Sequence, residues 1–426
     1  MEKITQKNHV VFCADIGTTS LKAAFINIDG AASGRLLAFT REMYHDTGIA
    51  AENASMWEAA FYRAVKGLFA KLPAVSVEAL CISGNGPTLV PLQGGVKEDA
   101  SPLPPLYWFS PRYKPPAASG PSFFLPYVAY FRQNKPDLYE KTGLFLSCQE
   151  WLSARLGAEP VSVLPTSYYR PYYYDDSQCA GFSLDSRKFP PFAPLGSIIG
   201  RVSVEAARVS GLSAGIPIVA GGPDFIMALL GSGATAPGLV CDRAGSSEGI
   251  NVCVRSKPDA DTAEAHSLRV LPHAIEGLWN VSVVMPESGS IFDRYRLETG
   301  QQDVLYETTL RQMLDTADGA GVIHPVLKKI IDEVRRALET LRRAGYPVHE
   351  MRHSGGQAKS SLWNRFKARA CGCALLVPEI SDTELAGDAA AIMLALGETG
   401  HISGACKKIV VIKERISGSE QVAMSR

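Results

Sequence analysis

The sequence is 426 residues long, with 46% hydrophobic and only 20% charged residues. A chain of this length folds as about two or three domains, and its high apolar fraction excludes intrinsic disorder. The 43 basic residues balance the 43 acidic ones, so the chain lacks the basic excess expected of a nucleic-acid-binding protein. Small polar ligands are therefore the expected partners.

The nine cysteines are scattered, and only Cys371 and Cys373 lie close together in the sequence. No pair has the spacing of a zinc site or a redox motif, which predicts reduced thiols in a cytoplasmic protein. The apolar run near the start is too short for a signal peptide, and no stretch of about 18 consecutive apolar residues occurs. We expect a soluble cytoplasmic protein that does not bind a membrane.

Residues 10–28 predict a hairpin: an apolar strand, a turn of glycine and hydroxyl residues, and a second strand. Asp15 ends the first strand, Gly17, Thr18 and Thr19 form the turn, and Lys22 lies on the outgoing strand. Such a turn offers backbone N–H groups and hydroxyls to an anion, while the carboxylate can hold a magnesium ion. The pattern is equally typical of a plain hairpin turn, so the residues alone leave both interpretations open.

Apolar residues recur at helical spacing over 55–72 and 326–344, which predicts two amphipathic helices. Two proline-rich stretches, 99–126 and 164–194, cannot form central strands or long helices, because proline lacks the amide hydrogen. We expect ordered loops there, with tyrosines that pack the loop down more readily than they stack on a sugar ring. A domain junction is expected at 215–217.

An apolar strand over 216–222 leads through a glycine turn to Asp224 and a helix of small residues. This pattern would place the Asp224 carboxylate at the carboxyl edge of a sheet, where ligands bind in open α/β folds. An aspartate at a helix start also caps the helix, and capping is compatible with catalysis. Strands mixed with helices predict an α/β fold.

Two further glycine-rich turns are candidate ligand sites. A second hairpin, over 237–254, has Gly245, Ser246 and Ser247 at its turn and repeats the design of the first hairpin. The segment Ser354 to Gln357 opens a helix and suits a phosphate or a flat base lying against glycine. The repeated design suggests two related domains.

In their order along the chain, these segments resemble the FGGY family of carbohydrate kinases, within the actin-like ATPase superfamily. The motifs that carry the resemblance are Asp15 to Ser20, Ile82 to Asn85, Trp108 to Arg112, Gly221 to Asp224, Gly245 to Ser247, Ser354 to Ser360 and Glu384 to Ala389. The resemblance implies two actin-like, ribonuclease H-like α/β domains with a cleft between them. Residues 1–216 would form the sugar side with the first phosphate hairpin, and 217–426 the nucleotide side with the catalytic aspartate.

The resemblance further implies transfer of the γ-phosphate of ATP to a hydroxyl of a small sugar, polyol or sugar acid. A sugar hydroxyl is a poor nucleophile, so Asp224 would act as general base and Asp15 would hold Mg²⁺ between the phosphates. Asn85, Trp108, Arg112 and Asp224 would bind the sugar. The implied nucleotide-binding residues are Gly17, Thr18, Thr19, Lys22, Gly245, Ser246, Ser247, Gly355, Gly356, Gln357 and Ser360.

Several positions depart from the family pattern. Ser110 replaces the aspartate of the tryptophan motif, Pro87 replaces a polar residue, and Phe225 follows the catalytic aspartate where a polar residue is common. The segment 313–324 is also shorter than its family counterpart. We therefore expect a shortened, divergent member, and the resemblance does not carry over a xylulose-like specificity.

The rival interpretation is a catalytically impaired actin-like protein that binds nucleotide as a sensor or assembly protein. An actin-like ATPase or an acyl-phosphate kinase is a further alternative, but neither accounts for the segment from Trp108 to Arg112. The pattern is compatible with a homodimer and selects no oligomeric state.

Overall fold

The structure is a computed structural model that describes residues 8–45, 50–94, 101–107, 121–320 and 323–418. Trp108 and Arg112, which belong to the predicted sugar site, lie outside the described residues, as does Ser110, which departs from the family pattern. By their internal contacts the residues form two units. The first unit comprises Met1–Gly231, Ala274–Glu276 and Glu384–Ile409, and the second comprises Ser232–His273, Gly277–Thr383 and Val410–Arg426. The domain boundary at 216/217 stays a prediction.

The strands of the described residues are, in chain order, β1 (Asn8–Ile16), β2 (Ser20–Asn27), β3 (Leu36–Met43), β4 (Val75–Gly84), β5 (Leu89–Gln93), β6 (Ser101–Pro102), β7 (Thr142–Ser147), β8 (Ser162–Leu164), β9 (Phe192–Pro194), β10 (Ile198–Arg201), β11 (Pro217–Val219), β12 (Val240–Ala244), β13 (Glu248–Val254), β14 (Arg269–Pro272), β15 (Trp279–Met285), β16 (Glu350–Ser354), β17 (Ala374–Pro378) and β18 (Ile412–Ile416).

The α-helices of the same residues are α1 (Ala54–Lys71), α2 (Leu125–Asn134), α3 (Pro136–Lys141), α4 (Cys148–Leu156), α5 (Asp176–Gly181), α6 (Val204–Ser210), α7 (Asp224–Ser232), α8 (Ala260–Ala265), α9 (Gly289–Glu298), α10 (Tyr306–Ala320), α11 (Pro325–Arg343), α12 (Ser361–Cys371), α13 (Thr383–Ala395) and α14 (Ile402–Ile409). Short 3-10 helices lie at Gly30–Ala32, Ser167–Tyr172, Ser186–Lys188 and Gln357–Lys359. None of these described helices combines the length and the apolarity of a membrane span.

The first unit is built on a six-stranded sheet with the order β10-β11-β4-β1-β2-β3. Its three central strands, β11, β4 and β1, are parallel, whereas β2 and β3 continue from β1 as antiparallel hairpins. Parallel strands are covered on both faces, which explains why β1 is an almost continuous apolar run. Because parallel strands end at the same edge of a sheet, residues that follow β1, β4 and β11 meet there.

Helix α1 covers one face of this sheet. It occupies Ala54–Lys71, and Trp57 and Phe61 on its apolar side are fully buried. Phe61 packs edge-on against Phe12 of β1, with ring centroids 5.3 Å apart. The helix predicted over 55–72 is therefore confirmed.

The proline-rich stretch 164–194 forms short elements, as expected from its prolines. Tyr173 and Tyr174 are buried, and the Tyr174 ring stacks on Phe192 with centroids 4.7 Å apart. Phe124 lies against the same cluster, 4.9 Å from the Tyr173 ring. These tyrosines pack the loop, as predicted, and Tyr168 is an exception because it is exposed.

The second unit contains a seven-stranded sheet with the order β14-β15-β13-β12-β16-β17-β18. Strands β12 and β16 are parallel neighbours, and β12 turns back into β13 as an antiparallel hairpin. Helix α11 buries Leu327, Ile331, Val334 and Leu341, so the amphipathic helix predicted over 326–344 is also confirmed. The nine cysteines are all free.

Candidate active site

Three predicted site residues of the first unit lie at or beyond the ends of three adjacent parallel strands. Asp15 is the penultimate residue of β1, Asn85 comes directly after β4, and Asp224 lies beyond the glycine turn that follows β11. An isolated bridge between Gly84 and Pro223 continues the parallel pairing past the end of β11. The sheet therefore brings these three polar side chains to one edge, although 209 positions of the sequence separate Asp15 from Asp224.

The Asp15 carboxylate is nearly buried, at 2% exposed, and has a basic neighbour. The Lys22 ammonium lies 3.4 Å from Asp15 Oδ2 and 3.9 Å from Glu384 Oε2. Asp15 and Lys22 are direct partners across the antiparallel β1 and β2 strands, so the hairpin register places the ammonium beside the carboxylate. Lys22 retains 21% side-chain exposure, which keeps its charge accessible to an anion.

A second buried acid, Asp388 of α13, approaches Asp15 from the other side. The Ser83 hydroxyl lies 3.1 Å from Asp388 Oδ2 and 3.4 Å from Asp15 Oδ1, so it links the two carboxyl groups. Burial, followed by the charge of Asp15, raises the pKa of Asp388 well above its usual range and favours its neutral form.

The tip of the first hairpin carries the predicted phosphate ligands. The Gly17 N–H donates to the carbonyl of Ser20 at 3.0 Å, which closes the turn, and the Tyr44 hydroxyl donates to the Gly17 carbonyl at 3.1 Å. Thr18 is exposed at the tip, and Thr19 is half-buried. The turn is thus anchored from both sides while its hydroxyl residues remain accessible.

The side chain of Asn85 is held by two hydrogen bonds to neighbouring residues. Its side-chain N–H donates to the carbonyl of Ile16 at 3.0 Å, and its amide oxygen accepts from the Thr88 hydroxyl at 2.6 Å. The side chain is only 4% exposed. In this arrangement Asn85 ties the end of β4 to the end of β1, a structural task that the sequence pattern did not suggest.

Asp224 begins helix α7 and is half-buried. Its Oδ1 accepts a hydrogen bond of 2.6 Å from the N–H of Phe225, which orients the carboxylate at the helix start. The preceding turn needs glycine, because a Cβ on Gly221 would lie 2.1 Å from the carbonyl oxygen of Ile82. This close contact between the two backbone segments fixes the position of the chain just before Asp224.

In the second unit, the two predicted nucleotide turns follow adjacent parallel strands. Gly245, Ser246 and Ser247 follow β12, and Gly355 to Gln357 follow β16. The Gly245 carbonyl accepts from the side-chain amide of Gln357 at 3.3 Å, so the two turns are in direct contact. Ser246, Ser247 and Gly356 are exposed, and their groups are open to a ligand.

Two details of the second turn differ from the expected pattern. The glycine pair opens a 3-10 helix, Gln357–Lys359, and the α-helix begins only at Ser361. Ser360 caps that helix, since its hydroxyl accepts from the N–H of Trp363 at 3.1 Å. The hydroxyl of Ser360 therefore has a structural partner besides its predicted contact with nucleotide.

Sequence reasoning missed several buried ionisable residues near these turns. Asp388 lies within a motif that matched the family, yet the motif alone did not reveal its proximity to Asp15. Asp242, Glu248 and Lys367 form ion pairs behind the nucleotide turns. Lys367 was the one available signal in the sequence. It lies four residues after Trp363, on the buried face of α12, and a lysine on a buried face requires acidic partners.

The fold matches that of solved sugar kinases. The crystal structure of ligand-bound xylulose kinase from Lactobacillus acidophilus aligns with a TM-score of 0.76 and 16% sequence identity, covering 96% of this chain and 94% of that chain. At this level of identity the likeness shows the fold alone. The predicted class, an α/β protein of two actin-like domains, is thereby confirmed.

The family follows from sequence models. Residues 118–231 match the N-terminal domain of the FGGY family of carbohydrate kinases, and residues 309–396 match the C-terminal domain of the same family. Both regions therefore match FGGY domains, and the predicted resemblance to the FGGY carbohydrate kinases is confirmed.

Named relatives agree with this assignment. An autoinducer-2 kinase from Yersinia enterocolitica is 23% identical over 334 residues, which are 64% of this chain and 61% of the relative. An L-fuculokinase from Salmonella typhi is 24% identical over 315 residues, 64% of each chain. In both comparisons the match spans less than two thirds of the relative's own length.

Proposed function

We propose that this protein is an ATP-dependent carbohydrate kinase that phosphorylates a hydroxyl of a small sugar, polyol or sugar acid. Asp224 is its general base. The observation that carries the proposal is the meeting of Asp15, Asn85 and Asp224 at one edge of three parallel strands. The match to both domains of a kinase family supports the same activity.

Asp224 takes the proton from the attacking hydroxyl. A general base must hold its carboxylate in a fixed orientation close to the acceptor, and the 2.6 Å hydrogen bond from the Phe225 N–H supports that role. Asn85 contributes to the acceptor site, because it follows β4, which lies between the strands that lead to Asp15 and Asp224. Trp108 and Arg112 stay predicted sugar ligands.

Phosphate binding falls to the two hairpin turns in this proposal. Thr18, Thr19 and Lys22 hold the transferring phosphate in the first unit, since a lysine with an accessible ammonium neutralises phosphate charge. In the second unit, Ser246 and Ser247 offer hydroxyls to the phosphates, and the exposed Gly356 is accessible to the adenine base of the nucleotide. Location in the cytoplasm and any dimer remain predictions.

The residues present fit a magnesium ion. Mg²⁺ prefers oxygen ligands and is usually bound by one or two carboxylates together with substrate phosphates. Asp15 offers such a carboxylate, and the described residues contain no cluster of three or more metal-ligating side chains that would form an all-protein cage. When bound, the ion neutralises charge that develops on the phosphates. Asp15 would hold it, and Ser83 and Lys22 keep the Asp15 carboxylate in place.

The acceptor is a small polyhydroxylated molecule in this proposal. The relatives are named for autoinducer-2 and L-fuculose, and the structural neighbour for xylulose. Phe225 and Pro87 replace polar family residues near Asp224 and Asn85, which reduces the number of hydrogen-bonding groups on the acceptor side. A substrate less polar than xylulose is therefore expected.

The test is ATP consumption across a panel of pentuloses, polyols and sugar acids. We expect one class to stimulate turnover, and Asp224→Asn to reduce that turnover by about 10²–10⁴-fold, the usual contribution of a general base, with ATP affinity within a few fold. Asp175→Asn is the matched control, because Asp175 also caps a helix through a backbone N–H. That variant should retain full turnover.

The outcomes separate the rival functions. Near-normal turnover of Asp224→Asn would refute the base assignment. Binding of ATP without stimulation by any acceptor would favour the nucleotide-binding sensor or assembly protein instead.

A further inference from the structure

Four ionisable side chains are packed together inside the second unit. Asp242 lies on β12, Glu248 begins β13, His353 lies on β16 and Lys367 lies on α12, and each is at most 1% exposed. The Lys367 ammonium is 2.5 Å from Asp242 Oδ2 and 2.6 Å from Glu248 Oε1. His353 Nδ1 is 2.8 Å from the same Asp242 oxygen.

Stability alone is a weak explanation for this cluster. Removing charges from water costs several kcal/mol per ion, and replacing buried ion pairs by apolar residues is often neutral or stabilising. Burial favours neutral Asp242, but the Lys367 ammonium, together with the hydrogen bond to His353, outweighs burial and holds the pKa of Asp242 low. Burial keeps His353 neutral by lowering its pKa, and Lys367 adds to that effect. Lys367 is thus the positive centre on which the cluster depends.

The cluster is connected to both nucleotide turns by hydrogen bonds. The Ser288 hydroxyl donates to Glu248 Oε2 at 2.6 Å and accepts from the side-chain amide of Gln357 at 3.0 Å. Gln357 also donates to the Gly245 carbonyl. The Ser288 N–H donates to the Ser246 carbonyl at 3.0 Å. A continuous chain of contacts therefore runs from Lys367 through Glu248 and Ser288 into both turns.

Ser288 is the junction of this chain of contacts. It precedes α9, and the following Gly289 packs so closely that a Cβ there would lie 2.3 Å from the Gly245 carbonyl oxygen. A hydroxyl that both donates and accepts can hold Glu248 and Gln357 at once, whereas an alanine can hold neither. The turns would then lose their common anchor while the apolar core stayed intact.

We propose that Lys367, Glu248, Ser288 and Gln357 form a positioning network that holds the Gly245–Ser247 turn and the Gly355–Gln357 turn in the arrangement that binds nucleotide. The inference rests on the proposed kinase function and assigns these residues no contact with the reacting atoms. Preorganised turns bind a ligand more tightly, because the cost of ordering them is met before binding. Nucleotide affinity therefore depends on a residue, Lys367, that is buried behind the binding surface.

The test is ATP binding measured by calorimetry for Ser288→Ala, with Ser282→Ala as the matched control. Ser282 is another serine of the second unit, 1% exposed, whose hydroxyl donates to the carbonyl of Arg269. Both variants remove one buried hydroxyl. We expect Ser288→Ala to weaken ATP binding about tenfold, with turnover at saturating ATP and the KM for acceptor within about threefold, and Ser282→Ala to leave ATP binding unchanged.

Lys367→Met provides a second measurement. It should also weaken ATP binding, but two buried carboxylates without their lysine can prevent folding, so Ser288→Ala is the decisive variant. Equal ATP affinity in Ser288→Ala and Ser282→Ala would overturn the network while leaving the kinase function in place. If the wild type bound ATP without phosphorylating any acceptor, the affinity difference would still support the network and the kinase function alone would fail. A wild type that binds no ATP would overturn both.

Discussion

Two adjacent glycines in the second predicted nucleotide turn should respond differently to the same substitution. Gly355 has φ +87°, and a Cβ there would lie 2.4 Å from the carbonyl oxygen and 3.0 Å from the carbonyl carbon of Ala244. Ala244 is the last residue of β12 and pairs with Glu248, so this backbone cannot move aside cheaply. Gly356 has φ −61° and ψ −39°, and a Cβ there would meet no described atom within 4 Å.

These distances set the expected magnitudes. The left-handed conformation costs an alanine about 1–2 kcal/mol, and overpacking adds about 1–3 kcal/mol, so Gly355→Ala should lower the free energy of unfolding by about 2–5 kcal/mol. Gly356→Ala should change it by less than about 0.5 kcal/mol, since any residue adopts that conformation. Because Gly356 is exposed in the turn, its alanine variant should still weaken ATP binding by obstructing the nucleotide.

Urea denaturation measures the first effect and calorimetric titration with ATP the second. Gly355→Ala is expected to lose stability and ATP affinity together, and Gly356→Ala only ATP affinity. Equal denaturation midpoints for the two variants would refute the packing argument. Unchanged ATP affinity in Gly356→Ala would show that nucleotide does not lie against this glycine.

Three other perturbations test the fold around the two candidate sites. Burial lowers the pKa of His273 to about 4. As the pH falls, the unfolded chain therefore binds a proton on this histidine near pH 6.5, whereas the folded chain binds it only near pH 4. The free energy of unfolding should therefore fall by about 3 kcal/mol as the pH drops from 6.5 to 4. His273→Gln should remove this part of the pH dependence, measured by urea denaturation at several pH values. An unchanged pH dependence would contradict the assignment of the effect to His273. Glu150→Ala removes the acceptor of the Val163 N–H at 2.9 Å and should lower the free energy of unfolding by about 1–3 kcal/mol in thermal denaturation. A wild-type Tm would mean that this N–H finds another partner. Gly387→Ala would place a Cβ 2.1 Å from the Met227 carbonyl oxygen and so displace α13 from α7; we expect a lower Tm and a lower turnover, and normal values of both would show that the helices separate without cost.

The two units use one design for their predicted ligand turns. In each unit, an antiparallel hairpin, β1–β2 or β12–β13, has a turn of glycine and hydroxyl residues. The first strand of the hairpin also has a parallel neighbour, β4 or β16, and a second predicted site segment follows that neighbour. The carboxyl edge of the sheet collects these segments, since parallel strands end together. This shared design agrees with the two related domains that the two similar hairpins in the sequence predict.

Local features of this protein were determined by the sequence itself. The helices at Ala54–Lys71 and Pro325–Arg343 followed from apolar residues at helical spacing, because a helix face must bury its own stripe. The turns after Asp15 and Ala244 followed from glycine and hydroxyl residues between apolar strands. The order of the motifs then sufficed to predict the family.

Contacts between distant segments were decided only by the tertiary structure. Ser83 and Asp388 are 305 positions apart, and Asp242 and Lys367 are 125 positions apart, yet each pair is in hydrogen-bonding contact. Strand order and helix packing bring them together, and neither leaves a periodic pattern in the chain. A local pattern records which face of an element is buried, but the partner of a buried charge depends on which other element covers that face.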